Sequence, residues 1–156
     1  MIRVLFVCLG NICRSPMAEA VFRHKLTEEN LQNKIEVDSA GTSNYHIGSP
    51  PHKGTRKILE GQKITFDGLK ARQVQKDDWE TFDYIIAMDE QNIEDLKSIN
   101  DQLESPIVKR LMDFVPNQEE GNVPDPYYTG DFDYTFKLVE KGCENLLRYI
   151  IKHHNL

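Results

Sequence analysis

Residues 4–16 read Val4-Leu5-Phe6-Val7-Cys8-Leu9-Gly10-Asn11-Ile12-Cys13-Arg14-Ser15-Pro16. The stretch Ile2 to Val7 is too uniformly apolar to have a wet face, which predicts a buried strand of a parallel sheet. Gly10 and Asn11 tolerate the positive φ of a tight turn, Ser15 is a good helix N-cap, and Pro16 suits a first helical position. Strand, turn and helix in that order place the Cys8 thiol inside a ring of backbone N–H groups at a helix N-terminus, where anions bind and a thiolate is favoured. Arg14 returns to the same cradle and offers a planar fork for two phosphate oxygens. A cysteine that ends an apolar strand is more often a small packing residue. The turn residues, the arginine and the helix start set this one apart. The chain has neither a Gly-Lys-Ser/Thr phosphate loop nor a Gly-x-Gly-x-x-Gly, so the cradle presents a thiol where a nucleotide-binding loop has none.

The remaining apolar runs are short and alternate with helical stretches, the pattern of βαβ units. A first helix is expected over 16–30, with Met17, Ala20, Val21 and His24 on one stripe and Glu19 paired with Arg23. Ile35 to Asp38 reads as a second strand, and Ser39 to Asn44 as a loop. Pro51 should start a second helix that Gly61 ends. Tyr84 to Met88 reads as the third strand, followed by a helix capped by Asp89 and running to about Ser98. Ile107 to Arg110 is a weaker fourth strand. Asp113 to Gly130 reads as one long loop, of a length that often carries function. Asp133 to His153 closes the chain as an amphipathic helix with Phe136, Val139, Leu146, Leu147 and Ile150 inward. The expected architecture is α/β: an open four-stranded parallel sheet with helices on both faces, its phosphate-binding loop after the first strand. Ligands on such sheets bind beyond the carboxyl ends of strands, where Cys8 lies.

The 156 residues suit a single domain, 1–156, able to bury a proper core. Apolar residues at 39% and charged residues at 28% describe an ordinary globule, without a run long enough to span a membrane. The first residues enter a strand at once, which leaves no room for a signal peptide. Three cysteines, two of them five apart, do not form a secreted disulfide framework, so a cytoplasmic setting is expected. A formal charge of −6 argues against nucleic acid as a partner but not against phosphate, which depends on local N–H groups and Arg14.

The long loop contains Pro124-Asp125-Pro126-Tyr127-Tyr128. Each proline fixes its own φ and restrains its predecessor, so Asp125 is held. Asp-Pro is also an ordinary turn signal. The paired tyrosines suit the walls of a slot for an aromatic ring.

These segments together resemble the low-molecular-weight protein tyrosine phosphatases. The resemblance rests on Cys8 to Ser15 continued by Pro16-Met17-Ala18-Glu19-Ala20, and on Asp125-Pro126-Tyr127-Tyr128. Asp38-Ser39, Ala71-Arg72-Gln73-Val74 and Phe82-Asp83-Tyr84-Ile85 match as well. It implies a hydrolase acting on phosphotyrosine-containing proteins or small aryl phosphates. Cys8 would be the nucleophile, Arg14 and the N–H groups of the loop Leu9, Gly10, Asn11, Ile12, Cys13 and Ser15 would hold the phosphate, and Asp125 would be general acid and base. Ser15 would donate to the sulfur, and Asn11 would hold the loop in shape through Ser39. Tyr127 and Tyr128 would wall the pocket, with Tyr45 where relatives often carry tryptophan. No metal or other cofactor is implied. Many members have a histidine just before Lys-Ala-Arg-Gln, where this chain has Leu69.

Three rival readings use the same features. A thioredoxin-coupled arsenate reductase shares the Cys-x5-Arg cradle but relays electrons through further cysteines after the third strand, where this chain reads Ala87-Met88-Asp89-Glu90-Gln91-Asn92. Protein arginine phosphatases have threonine in place of Ile12 and lack the paired tyrosines. A non-catalytic phosphotyrosine-binding module needs neither Cys8 nor Asp125. Neither the physiological substrate nor the oligomeric state follows from the residues.

Overall fold

Strand β1, Ile2–Cys8, runs through the middle of a four-stranded parallel sheet of order β2-β1-β3-β4. The other strands of this computed structural model, which describes residues 1–156, are β2 (Ile35–Gly41), β3 (Tyr84–Ala87) and β4 (Ile107–Arg110). Val4, Leu5, Phe6 and Val7 are fully buried because helices cover both faces of the sheet. Alternation along the strand sorts them. Val4, Phe6 and Cys8 enter the larger core, against α1 (Arg14–Glu28) and α6 (Phe132–His154). Leu5 and Val7 enter a smaller core with Trp79, Ile93 and Leu96, the last two on α4 (Glu90–Ile99). Each such side chain contributes roughly 1.5–3 kcal/mol. Two shorter helices, α2 (Lys53–Gly61) and α3 (Asp78–Thr81), lie in the long connection from β2 to β3. No helix is long and apolar enough to cross a membrane.

Several boundaries differ from those expected. Strand β2 continues through Ser39, Ala40 and Gly41, read as loop, because these residues pair in register with Phe6, Val7 and Cys8. Small and polar residues are weak strand formers alone, but a ready partner strand overrides that. Helix α2 starts at Lys53 rather than Pro51; His52 is its N-cap, its Nδ1 accepting the Gly54 amide at 3.0 Å. The stretch 113–130 is not one irregular loop: a 3-10 turn spans Leu111–Phe114, and a four-residue helix, α5, spans Pro126–Thr129. Ser15 is not the cap of α1. The helix begins at Arg14, and the N-cap residue Cys13 makes no side-chain capping bond.

Candidate active site

The turn after β1 closes because Asn11 adopts φ 56°, the left-handed conformation expected of it, whereas Gly10 does not. The Asn11 amide donates to Cys8 Sγ at 3.3 Å. Ser15 escapes its capping role because its hydroxyl is committed to the same sulfur, at 3.0 Å. The turn is also held from outside. Thr42 N donates to the Cys8 carbonyl, Ser43 N to that of Leu9, His52 N to that of Ile12, and the Thr55 hydroxyl to that of Cys13, at 2.7–3.0 Å. Gly41, the last residue of β2, must be glycine here, since a Cβ would lie 2.8 Å from the Leu9 oxygen.

Behind the turn the side chains form one network. Asn11 Nδ2 donates to Ser15 Oγ at 2.7 Å and Ser39 Oγ at 2.9 Å, while its Oδ1 accepts the Arg72 amide at 3.0 Å. The Ser39 hydroxyl donates to Glu19 Oε1 at 2.6 Å. Leu69 is half-buried against the main core and takes no part. The side chains of Asn11 and Ser15 therefore lie behind the turn rather than in the cleft.

Arg14 is 2% exposed. Its Nη1 donates to Asp89 Oδ2 at 2.5 Å and to the Val123 carbonyl at 3.0 Å, and its Nη2 to Asp125 Oδ2 at 3.2 Å. Its Nε is buried with no partner in the protein. Nε and Nη2 share one edge of the guanidinium, so that edge is the one offered to two oxygens of a ligand. Burial works against the arginine charge, yet Cys8, Asp125 and Asp89 around it outweigh burial and hold its pKa above the ordinary value. Asp125 itself caps α5, its Oδ1 accepting the Tyr127 amide at 3.1 Å. Val123 N bonds the Met88 carbonyl, which ties this segment to the end of β3.

A cleft of about 270 Å³ opens over the sulfur, lined by Cys8, Leu9, Gly10, Ile12, Cys13, Tyr45, His46, Asp125, Tyr127 and Tyr128. Tyr45, Tyr127 and Tyr128 stand at its mouth, half or more exposed. Of the anticipated residues, the turn, the aspartate and the aromatic walls come together here. Three participants were not anticipated. His46 lines the cleft next to Gly10 and 6.1 Å from the Tyr127 ring, and no sequence signal marks it. Asp89 was legible only as a helix cap, although its place just past β3 puts it at the carboxyl edge where ligands gather. Glu19 was legible only as a partner of Arg23, which it does bind at 2.5 Å. Burial pushes the Cys13 thiol up to about 12, with Cys8 and Asp125 adding to the shift and Arg14 opposing it.

A sulfur held in a turn, a buried arginine with an unpartnered Nε and a carboxyl group in an aromatic-walled cleft, set at the carboxyl edge of a parallel sheet, are the arrangement of a phosphoric monoester hydrolase. The chain belongs to the low molecular weight phosphotyrosine protein phosphatase family, whose sequence pattern matches residues 3–156. It is 53% identical to the low molecular weight protein-tyrosine-phosphatase YfkJ of Bacillus subtilis over 156 residues, all of both chains. The crystal structure of that protein superposes with a TM-score of 0.95, at 52% identity, over 98% of this chain and 96% of the other. PtpA of Staphylococcus epidermidis, also named a low molecular weight protein-tyrosine-phosphatase, is 49% identical over all of this chain and 98% of its own. A protein tyrosine phosphatase from Entamoeba histolytica, crystallised with Hepes in its active site, superposes at 0.90 with 35% identity over the whole of both chains.

Proposed function

We propose that residues 1–156 act as one phosphatase domain that hydrolyses phosphotyrosine in proteins, and small aryl phosphates, through a phosphocysteine on Cys8. The observation that carries this reading is the Arg14 guanidinium. Asp89 and Val123 hold Nη1, Nε has no partner and Nη2 meets only the Asp125 carboxyl, so the Nε/Nη2 edge is the one that ligand oxygens can take beside Cys8. A phosphoryl group on that edge and on the turn amides has its phosphorus in line with Sγ, and the fixed donors stabilise charge on the equatorial oxygens as the transition state forms.

Asp125 faces the position of the bridging oxygen. An entering dianion displaces its carboxyl from Arg14 Nη2, and the acid gives its proton to the departing phenolate. The resulting carboxylate then takes a proton from water as that water attacks the phosphocysteine and the sulfur leaves. Ser15 donates to the sulfur in both steps and eases its departure. Tyr45, Tyr127 and Tyr128 flank the phenyl ring, and Ile12 packs on it. All three cysteines are free, which suits a thiolate enzyme working in a reducing cytoplasm.

The test is phosphate release from matched peptides carrying phosphotyrosine, phosphoserine or phosphoarginine, with the parent and with Cys8→Ser. Release from phosphotyrosine alone, abolished in the variant, is the expected result. Equal release from phosphoserine, or turnover by the variant within tenfold of the parent, would overturn the reading.

A further inference from the structure

Glu19 is 4% exposed and lies in α1, one turn beyond the residues that close the cradle. A buried carboxylate is costly unless its oxygens are occupied. Here one takes the Ser39 hydroxyl at 2.6 Å and the other the Arg23 guanidinium at 2.5 Å. Burial still leaves its pKa raised, against the opposing pull of Ser39 and Arg23. The fold therefore keeps this charge at a cost to stability, and the hydrogen-bond directions show what it does.

Asn11 Oδ1 is taken by the Arg72 amide, so Nδ2 is fixed as a double donor, to Ser39 and to Ser15. Each hydroxyl accepts one of those bonds and has a single proton left to give. Ser39 gives its proton to Glu19. Ser15 gives its proton to Cys8 Sγ at 3.0 Å, the Ala40 carbonyl lying farther off at 3.5 Å. A carboxylate that can only accept thus sets the polarity of the whole chain of bonds, whose far end is a donor aimed at the sulfur. Without that acceptor the Ser39 hydroxyl is free to rotate and no longer holds a lone pair on Asn11 Nδ2, Asn11 is held less firmly against Ser15, and Ser15 becomes free to turn to Ala40.

We propose that Glu19 is a positioning residue for the Cys8 thiolate, acting through Ser39, Asn11 and Ser15. The proposal rests on Cys8 being the nucleophile. The groups that face this line of bonds are few. Glu19 meets Arg23 on its own helix and Asp38 and Ser39 on β2. Around the sulfur stand Arg14 and Ser15 of α1, Cys13 in the turn, and Asp125 and His46 across the cleft.

The experiment follows alkylation of Cys8 by iodoacetamide as a function of pH in Glu19→Gln, Glu19→Met, Ser39→Ala and the double variants. Peptide mass spectrometry identifies the modified sulfur, kcat and KM are measured on an aryl phosphate, and melting curves confirm folding. Glu19→Met should move the alkylation profile up by roughly one pH unit, the scale of one weakened charge-assisted hydrogen bond. At neutral pH it should lower kcat about tenfold with KM little changed, because the turn amides and Arg14 remain. Ser39→Ala should reproduce the shift, and the double variant should add nothing to it. An unmoved profile in Glu19→Met, or shifts that add in the double variant, would overturn the proposal. Should Glu19→Met not fold, Glu19→Gln carries the test. Its amide oxygen still accepts from Ser39, so its shift is smaller, and that shift must vanish in the Ser39→Ala background; persistence there is the contrary result. Alkylation of Cys8 in the parent without loss of turnover would remove Cys8 as nucleophile instead, whatever the Glu19 variants show.

Discussion

Asp89 and Arg14 are joined at 2.5 Å, and the same carboxylate caps α4 through its other oxygen, 2.7 Å from the Asn92 amide. The helix start and the orientation of the guanidinium are thus one feature. Asp89→Asn keeps a good cap while losing the charge that steers Arg14. Its melting temperature should stay near the parent's, and its kcat/KM should fall about 10–100-fold as the bidentate edge loses its alignment. Asp89→Ala should lose the cap as well, about 1 kcal/mol. Steady-state kinetics with thermal melts separate the two losses; unchanged kcat/KM in Asp89→Asn would show that Val123 alone suffices to hold Arg14.

Asp125→Ala should slow substrates in proportion to the basicity of the leaving group. Phenolate from tyrosine, with a pKa near 10, should suffer on the order of 10²–10⁴-fold. An aryl phosphate with a far more acidic phenol should lose much less in the burst that reports phosphorylation of the enzyme. Equal losses for both would assign Asp125 to capping α5 alone.

Ile12 is 8% exposed at the floor of the cleft, beside the tyrosine walls. Ile12→Thr removes apolar bulk and adds a polar contact, so activity on phosphoarginine relative to phosphotyrosine should rise. A contact of this size is worth about 1–3 kcal/mol, a shift rather than a switch. The ratio of kcat/KM values on matched peptides measures it, and an unchanged ratio would leave the choice to Tyr45, Tyr127 and Tyr128.

Glu19 also leaves a mark on stability. Its folded pKa is raised by burial, so the folded state holds that proton more tightly than the unfolded chain does. The associated stabilisation is full below the unfolded value and is lost as pH rises through the folded one. At neutral pH the parent therefore carries a penalty that a neutral isostere lacks. Glu19→Gln should melt higher than the parent at neutral pH, and the two curves should converge below roughly pH 4. A lower melting temperature for Glu19→Gln at neutral pH would contradict the sign.

Cys13 and Cys143 are both held as thiols at neutral pH, since burial drives both pKa values well up. Peroxide should then attack Cys8 first, oxidising its sulfur to a sulfenic acid. Cys13 lines the same cleft and can displace hydroxide from that sulfur, forming a disulfide with loss of water. Inactivation of the parent should accordingly be reversed by thiol reductants. Cys13→Ser should recover only a minor fraction of its own starting activity as Cys8 advances to sulfinic acid. Peptide mass spectrometry reads the outcome; a bridge from Cys8 to Cys143 would remove Cys13 from this role.

The course of one short stretch, from Val4 to Pro16, was legible in the sequence, because strand, turn and helix each follow local rules there. Cys8, Arg14 and the left-handed Asn11 needed nothing beyond their neighbours. Ser15 shows where local rules stop: it has the right chemistry for a cap, but its hydroxyl serves the sulfur, and the helix starts one residue earlier. Ser39 to Gly41 read as loop because their pairing with β1 is a tertiary fact. Glu19 and Asp89 each displayed one role to the sequence and hid the second, since Ser39 and Arg14 lie far off along the chain. His46 had no signal at all.

The outward bonding of the turn carries one more consequence. A planar trans peptide points its N–H opposite to its carbonyl. Four carbonyls of the turn are claimed by Thr42, Ser43, His52 and Thr55, so the amide hydrogens of Leu9, Gly10, Cys13 and Arg14 are directed the other way, toward the cleft. The mould for an anion is finished before any anion arrives, and little conformational freedom remains to be surrendered on binding. It is also made of main chain. A molecule with a net charge of −6 thus presents a row of oriented dipoles without a basic surface, set where neither added salt nor the drift of exposed residues readily reaches them.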